Sequence, residues 1–219
     1  MKINILSILL SLLCCVSGFS QNTSDGFSIS LIDDATMQRM IRGGSFPEGC
    51  SISRNDLRYL QVKHVDFNGK TQTGELVCNK AIAQDLLDIF RELFKQRYPI
   101  ASIRLIDDFG ADDEASMRAN NTSCFCYRTI NGSTKLSAHS RGMAIDINPL
   151  QNPCVRYTKD GKLRRIQPDT KEARNHMNRT SGKAHMITRN DLCYRLFVKH
   201  GFTWGGAWRS VKDYQHFEK

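Results

Sequence analysis

One stretch limits the fold more than any other. Ile82, Leu86, Ile89, Phe90, Leu93 and Phe94 recur at helical spacing and form a single apolar stripe. A helix that is apolar along one side has to cover a sheet or another helix. The residues before it supply the sheet. Arg58 to Phe67 (RYLQVKHVDF) reads as a strand, Asn68-Gly69 as a hairpin turn because both residues tolerate positive φ, and Glu75 to Cys78 as the returning strand. Asn79 is expected to cap the helix and Pro99 to end it. A short helix is expected from Asp34 to Ile41, stopped by Gly43-Gly44. Another is expected from Asp191 to His200, with Leu192, Leu196 and Phe197 inward and Gly201 as terminator. Ile103 to Ile106 alternates like a strand, and Asp107 to Glu114 is acidic and loop-like. Parallel βαβ units do not recur, so the expected class is α+β, a small, mostly antiparallel sheet with flanking helices.

The N-terminus reads as a separate object. Lys2 precedes an apolar run from Ile5 to Val16, shorter than the ~20 residues a spanning helix needs, and small residues follow at Gly18 and Ser20. Residues 1–20 are expected to be an export signal, 21–27 a flexible lead-in and 28–219 one domain. The mature protein is expected to be periplasmic or extracellular, without a stable membrane span, and monomeric. Of the 8 cysteines, Cys14 and Cys15 leave with the signal. Cys50, Cys78, Cys124, Cys126, Cys154 and Cys193 remain, an even set that in an exported chain implies disulfides whose pairing the sequence leaves open. A cysteine zinc site is disfavoured because no CxxC pair exists. Lys plus Arg is 31 against 22 for Asp plus Glu, a net charge of +9. That favours an anionic partner such as nucleic acid, lipid or a cell-wall polymer. Nucleic acid is not expected, since no recognition motif or aromatic-basic interleaving is present. The basic residues concentrate between 152 and 189, where the bland reading is a solvated excursion and the functional one is contact with an anionic polymer.

Two short segments carry chemistry: Ser137 to Asp146 (SAHSRGMAID), and Trp204 to Trp208 (WGGAW) followed by Asp213 to Phe217 (DYQHF). From Met143 onward the residues alternate, so Met143, Ile145 and Ile147 can face a core while Ala144, Asp146 and Asn148 face the other way. Gly142 lets the backbone turn between His139 and Asp146. If His216 joins them, two imidazoles and one carboxylate leave one open position, the layout of catalytic zinc. A water in that position would have its pKa lowered towards ~7, and Asp213, unligated, could take its proton. His64, His176, His185 and His200 read as structural or solvated.

These residues resemble the M15 family of zinc peptidases, the D-alanyl-D-alanine carboxypeptidases and L-alanyl-D-glutamate endopeptidases. The pattern SxHxxGxAxD matches at Ser137, His139, Gly142, Ala144 and Asp146. The pattern WGGxW…DxxHF matches at Trp204, Gly205, Gly206, Trp208, Asp213, His216 and Phe217. Asp56 to Leu60, Phe67 to Gly69, and Asn121 through Arg128 are similar to further parts of the family, and the GGxW before DxxHF is most similar to its M15C-type subgroup. The resemblance implies a DD-peptidase/hedgehog-like zinc peptidase fold acting on peptidoglycan or its stem peptides. It implies one Zn2+ per chain on His139, Asp146 and His216, with Asp213 as general base. Arg128 would bind a substrate carboxylate or polarise the scissile carbonyl, Ser137 would hydrogen-bond substrate, and Trp208 would wall the pocket. The alternative is a peptidoglycan-binding protein of the same fold without catalysis.

Overall fold

A computed structural model of the protein describes residues 21–22, 25–130 and 132–219, so the export segment expected at 1–20 lies outside the described residues. In chain order the elements begin with β1 (Gln21–Asn22), β2 (Ser28–Ser30), α1 (Asp34–Gly43), β3 (Leu57–Val65), β4 (Thr71–Asn79) and α2 (Ala83–Lys95). They continue with β5 (Ser102–Ile103), α3 (Asp113–Arg118), β6 (Asn121–Thr122), β7 (Ala144–Asp146), β8 (Cys154–Tyr157) and β9 (Leu163–Gln167). The last are α4 (Lys171–Asn175), α5 (Leu192–Lys199), β10 (Thr203–Trp204), β11 (Val211–Asp213) and β12 (His216–Glu218). The class is α+β, and every sheet is antiparallel except the short β5–β6 pair.

The hairpin β3–β4 is the platform. Asp66 Oδ1 accepts the backbone N–H groups of Asn68 and Lys70, which closes the Asn68-Gly69 turn, and the strands pair from Val65↔Thr71 to Leu57↔Asn79. β1 and β2 extend it in the order β1-β2-β3-β4. The returning strand is longer than Glu75–Cys78 because the turn holds register from Thr71 onward. Helix α2 covers one face: Leu86, Leu87, Ile89, Phe90 and Leu93 bury against Leu60, Val62 and Leu76. Each such side chain contributes about 1.5–3 kcal/mol. The helix begins at Ala83, later than expected, because Asn79 Oδ1 accepts the N–H of Ala81 and makes a separate turn before it. It ends at Lys95, and Arg97 adopts positive φ before Pro99 is reached. Helix α5 starts at the Asp191 cap and lays Phe197 into the same core.

Two other expectations change. The strand expected at Ile103–Ile106 stops at Ile103, and the acidic stretch is helical rather than loop. Residues Ile106–Phe109 form a tight turn, and Asp112 caps α3 by accepting from Glu114 and Ala115. Its acids are engaged, Asp108 with Arg39 and Arg104. The basic excursion also has its own structure. β8 and β9 join β11 in the order β11-β8-β9, and Val155, Ile166 and Ala173 form a small core behind them. Arg179 holds this segment from inside: its guanidinium donates to Gln151 O, Asn152 Oδ1 and Ile187 O and stacks 4.3 Å from the Tyr214 ring centre.

The expected disulfides do not form. All six cysteines are free, and five are buried. Cys78, Cys124 and Cys193 fill the main core as small apolar groups, and burial pushes the Cys126 thiol up to about 12.

The third sheet, β10-β12-β7, presses Ile145, Phe217 and Trp204 into the same core as α2 and α5. Gly142 sets its approach to the platform. Its φ is +65°, and a Cβ there would stand 2.6 Å from Asn79 N, whose N–H donates to Gly142 O at 2.9 Å. We expect Gly142→Ala to lower unfolding stability by at least about 1 kcal/mol in a denaturant titration, through strain and the lost approach together.

Candidate metal centre

His139 comes from a tight turn, and Asp146 and His216 from two strands that meet by register. β12 pairs antiparallel with β7, placing His216 opposite Asp146 and Phe217 opposite Ile145. Because side chains alternate, Ile145 and Phe217 face the core while Asp146, His216 and Glu218 line the opposite side. His139 sits in the tight turn Ala138–Arg141, which Ser137 caps by accepting the His139 N–H at 3.3 Å. All three residues are buried.

The three donor sets are close enough to share an ion. His139 Nε2 lies 3.2 Å from His216 Nδ1 and 3.4 Å from Asp146 Oδ2, and His216 Nδ1 lies 3.0 Å from Asp146 Oδ1. Atoms bound at about 2.0–2.1 Å in tetrahedral array stand about 3.3 Å apart, so the spacing suits zinc. The remaining ring nitrogens say which atoms are donors. His139 Nδ1 donates to Cys124 O at 2.6 Å, and His216 Nε2 meets Glu218 Oε2 at 3.2 Å. Each imidazole thus has its outer nitrogen held and its inner one directed at the cluster. Among the described residues it is the one such group of three His, Cys, Asp or Glu side chains.

The electrostatics also call for a cation. Burial opposes charge on Asp146, but the two imidazoles outweigh it and hold the carboxyl far below its ordinary range. Burial likewise opposes a charged His216, yet its hydrogen bonds to Asp146 and Glu218 lift it to about 10. The ring therefore keeps a proton where a metal ion would take its place. Three buried polar atoms lining the cleft have no partner: Asp213 Oδ1, Gln215 Oε1 and Arg128 Nε. Such orphans are costly unless a ligand satisfies them.

The cleft around the cluster has a volume of about 140 Å³. Asp213 enters it from β11. Burial, reinforced by repulsion from Asp146, raises its carboxyl to about 6, and Cys154 stands opposite it on β8. Gly205 makes room for this strand, since a Cβ there would lie 2.7 Å from Asp213 O and 3.2 Å from His216 Cβ. Arg128 reaches the cleft along the 123–128 segment, which is bonded to β7 through Ser123 and Asp146 and to β4 through Phe125 and Val77. Its Nη2 pairs with Asp113 Oδ2 at 2.9 Å. Ser137 and Trp208 line the cleft too, the Trp208 ring 5.2 Å from that of His216. Trp204 is a core residue, its Nε1–H donating to Tyr214 O.

The sequence reading missed three residues. Asp113 lay in a stretch taken as a loop. Glu218 was within reach of it, two residues beyond His216 and hence on the same strand face. Gln215 carries no pattern signal.

Residues 131–219 match the family model described as D-alanyl-D-alanine carboxypeptidase, which supports membership of the M15 peptidases. The matched span holds the three clustered side chains and Asp213. No curated protein and no solved structure matches the chain. Over that span, and with an α+β fold and the cluster beside it, the chain is similar to the D-alanyl-D-alanine carboxypeptidases of the M15 type. Among the described residues no helix is long and apolar enough to cross a membrane.

If Glu218 orients His216, Glu218→Ala should weaken metal binding about 10–100-fold in a chelator competition. The far-UV circular dichroism should stay unchanged.

Proposed function

We infer that the protein is an exported zinc peptidase that hydrolyses peptide bonds in peptidoglycan stem peptides, as a D-Ala-D-Ala carboxypeptidase or an L-Ala-D-Glu endopeptidase. Residues 28–219 act as its peptidase domain once the N-terminal segment has directed export. The observation that carries the reading is the juxtaposition of His139, Asp146 and His216 at mutual distances of 3.0 to 3.4 Å beside a half-buried acid outside the cluster, Asp213.

Zinc bound there supplies a Lewis acid for the scissile carbonyl and lowers the pKa of water towards ~7. The protein's own groups do the rest. Asp213 takes the proton released as the attacking oxygen adds, and returns it to the leaving amine nitrogen. Its raised proton affinity suits a group that must both accept and release. Arg128, held at one end by Asp113, offers its unpaired Nε to a substrate carboxylate or to the carbonyl oxygen. Ser137 spends its lone pair on the His139 N–H and keeps its hydroxyl proton for substrate. Trp208 supplies an apolar wall that limits water at the reacting atoms.

Purified protein is expected to bind one zinc and to release either one D-Ala or the L-Ala–D-Glu cut from muropeptides, read by mass spectrometry. His139→Ala should lose both the zinc and the activity. Asp213→Asn should keep the zinc and lose about 10²–10⁴-fold in kcat. Full activity after complete metal removal sinks the reading. Sedimentation with peptidoglycan and no released product would select the non-catalytic binding protein instead.

A further inference from the structure

A second cleft, of about 790 Å³, opens between α3 and β9 and joins the metal cleft, since Asp113 and Gln167 line both. The sheet β11-β8-β9 forms a wall common to the two. Residues directly opposite in antiparallel strands point to the same face. Asp213, Cys154 and Gln167 are therefore one row across this sheet, at the level of the metal cleft. The next row on that face is Val211, Arg156 and Arg165, two residues and about 7 Å further along the strands. Arg156 lines the metal cleft and Arg165 the second one.

This row sets two cations directly opposite each other, which is destabilising unless an anion lies between them. The chain offers none. Among the described residues neither the Arg156 nor the Arg165 side chain has a hydrogen bond or an ion pair, whereas the acids around the second cleft are already engaged. Asp113 is held by Arg128, Glu114 by Arg118 and Asp169 by Arg174. Ile166 and Val155, on the reverse face, are buried, so the arginines are fixed on the open side by the small core behind them.

We propose that Arg156 and Arg165 form a subsite for a side-chain carboxylate of the peptide substrate, about two extended residues from the bond that is cut. The ligand class is an acidic peptide, recognised by charge-assisted hydrogen bonds from two guanidinium forks. The substrate identity rests on the peptidase reading, but the subsite is detected by binding.

The test uses two stem pentapeptides that differ only in a free glutamyl carboxylate against its amide. They are titrated by calorimetry into zinc-loaded protein carrying Asp213→Asn, which slows turnover enough for binding to be read, with intact peptide checked by mass spectrometry after each titration. The free acid should bind at least about tenfold more tightly. Arg156→Gln and Arg165→Gln should each reduce that preference, and together they should erase it. Affinity for the amide should stay within about twofold, and zinc content and circular dichroism should not change. Lys199→Gln, the same charge change on the far surface of α5, should leave the preference intact. A preference that survives the double substitution, an equal loss on both peptides, or no preference in the parent protein overturns the subsite. Hydrolysis by the wild-type protein separates the two proposals. Cleavage of both peptides without preference keeps the peptidase and removes the subsite. A preference carried by the two arginines without any cleavage keeps the subsite and removes the peptidase.

Discussion

The pairing of β12 with β7 sets His216 against Asp146, and the same pairing buries Phe217 against Ile145 on the reverse face. A slip of one residue would turn every side chain of β12 over, carrying the imidazole into the core and the phenyl ring into the cleft. The apolar side thus enforces the polar side. Burial of the two hydrophobic residues contributes about 1.5–3 kcal/mol each, while a buried acid against an imidazole contributes little on its own after desolvation. The core holds the ligand atoms together, and the ligand atoms do not have to hold the core.

The cleft concentrates charge to a degree the interior tolerates only in balance. Asp146, Asp213, Asp113 and Glu218 meet Arg128, Arg156 and two imidazoles around a cleft of about 140 Å³. Arg128 with Asp113 is one neutral pair. Asp146 is compensated by His216 only while that ring is protonated, and Asp213 answers by rising towards neutrality. A divalent cation resolves this arrangement without protons, which is why the electrostatics and the donor spacing point to the same occupant.

Much of this was legible in the chain itself. The hairpin, the stripe on α2, the helix from Asp191 and the two motifs whose His139, Asp146 and His216 cluster all rest on local spacing, and local spacing survives folding. The start of α2 was placed too early because Asn79 has the chemistry of a cap and uses it on a preceding turn. Asp113 was hidden for a different reason. An acidic run reads as solvated, and nothing local reveals that one of its carboxylates turns inward to meet an arginine 15 residues later. The sheet of β8, β9 and β11 escaped because its hydrophobic face is only Val155 and Ile166, too few for a period to emerge. The cysteines misled because an even count does not distinguish bridges from small buried side chains.

His139 and His216 stand 77 positions apart, and the segment between them carries α4, α5 and the whole of the arginine-bearing sheet. An ion gripping both ends behaves as a reversible cross-link that closes this long loop. It favours the folded chain by about 2.7 kcal/mol when free ion stands a hundredfold above its dissociation constant. The melting temperature of such a molecule is then a property of its surroundings as much as of its residues, rising where the metal is plentiful and falling where it is scavenged.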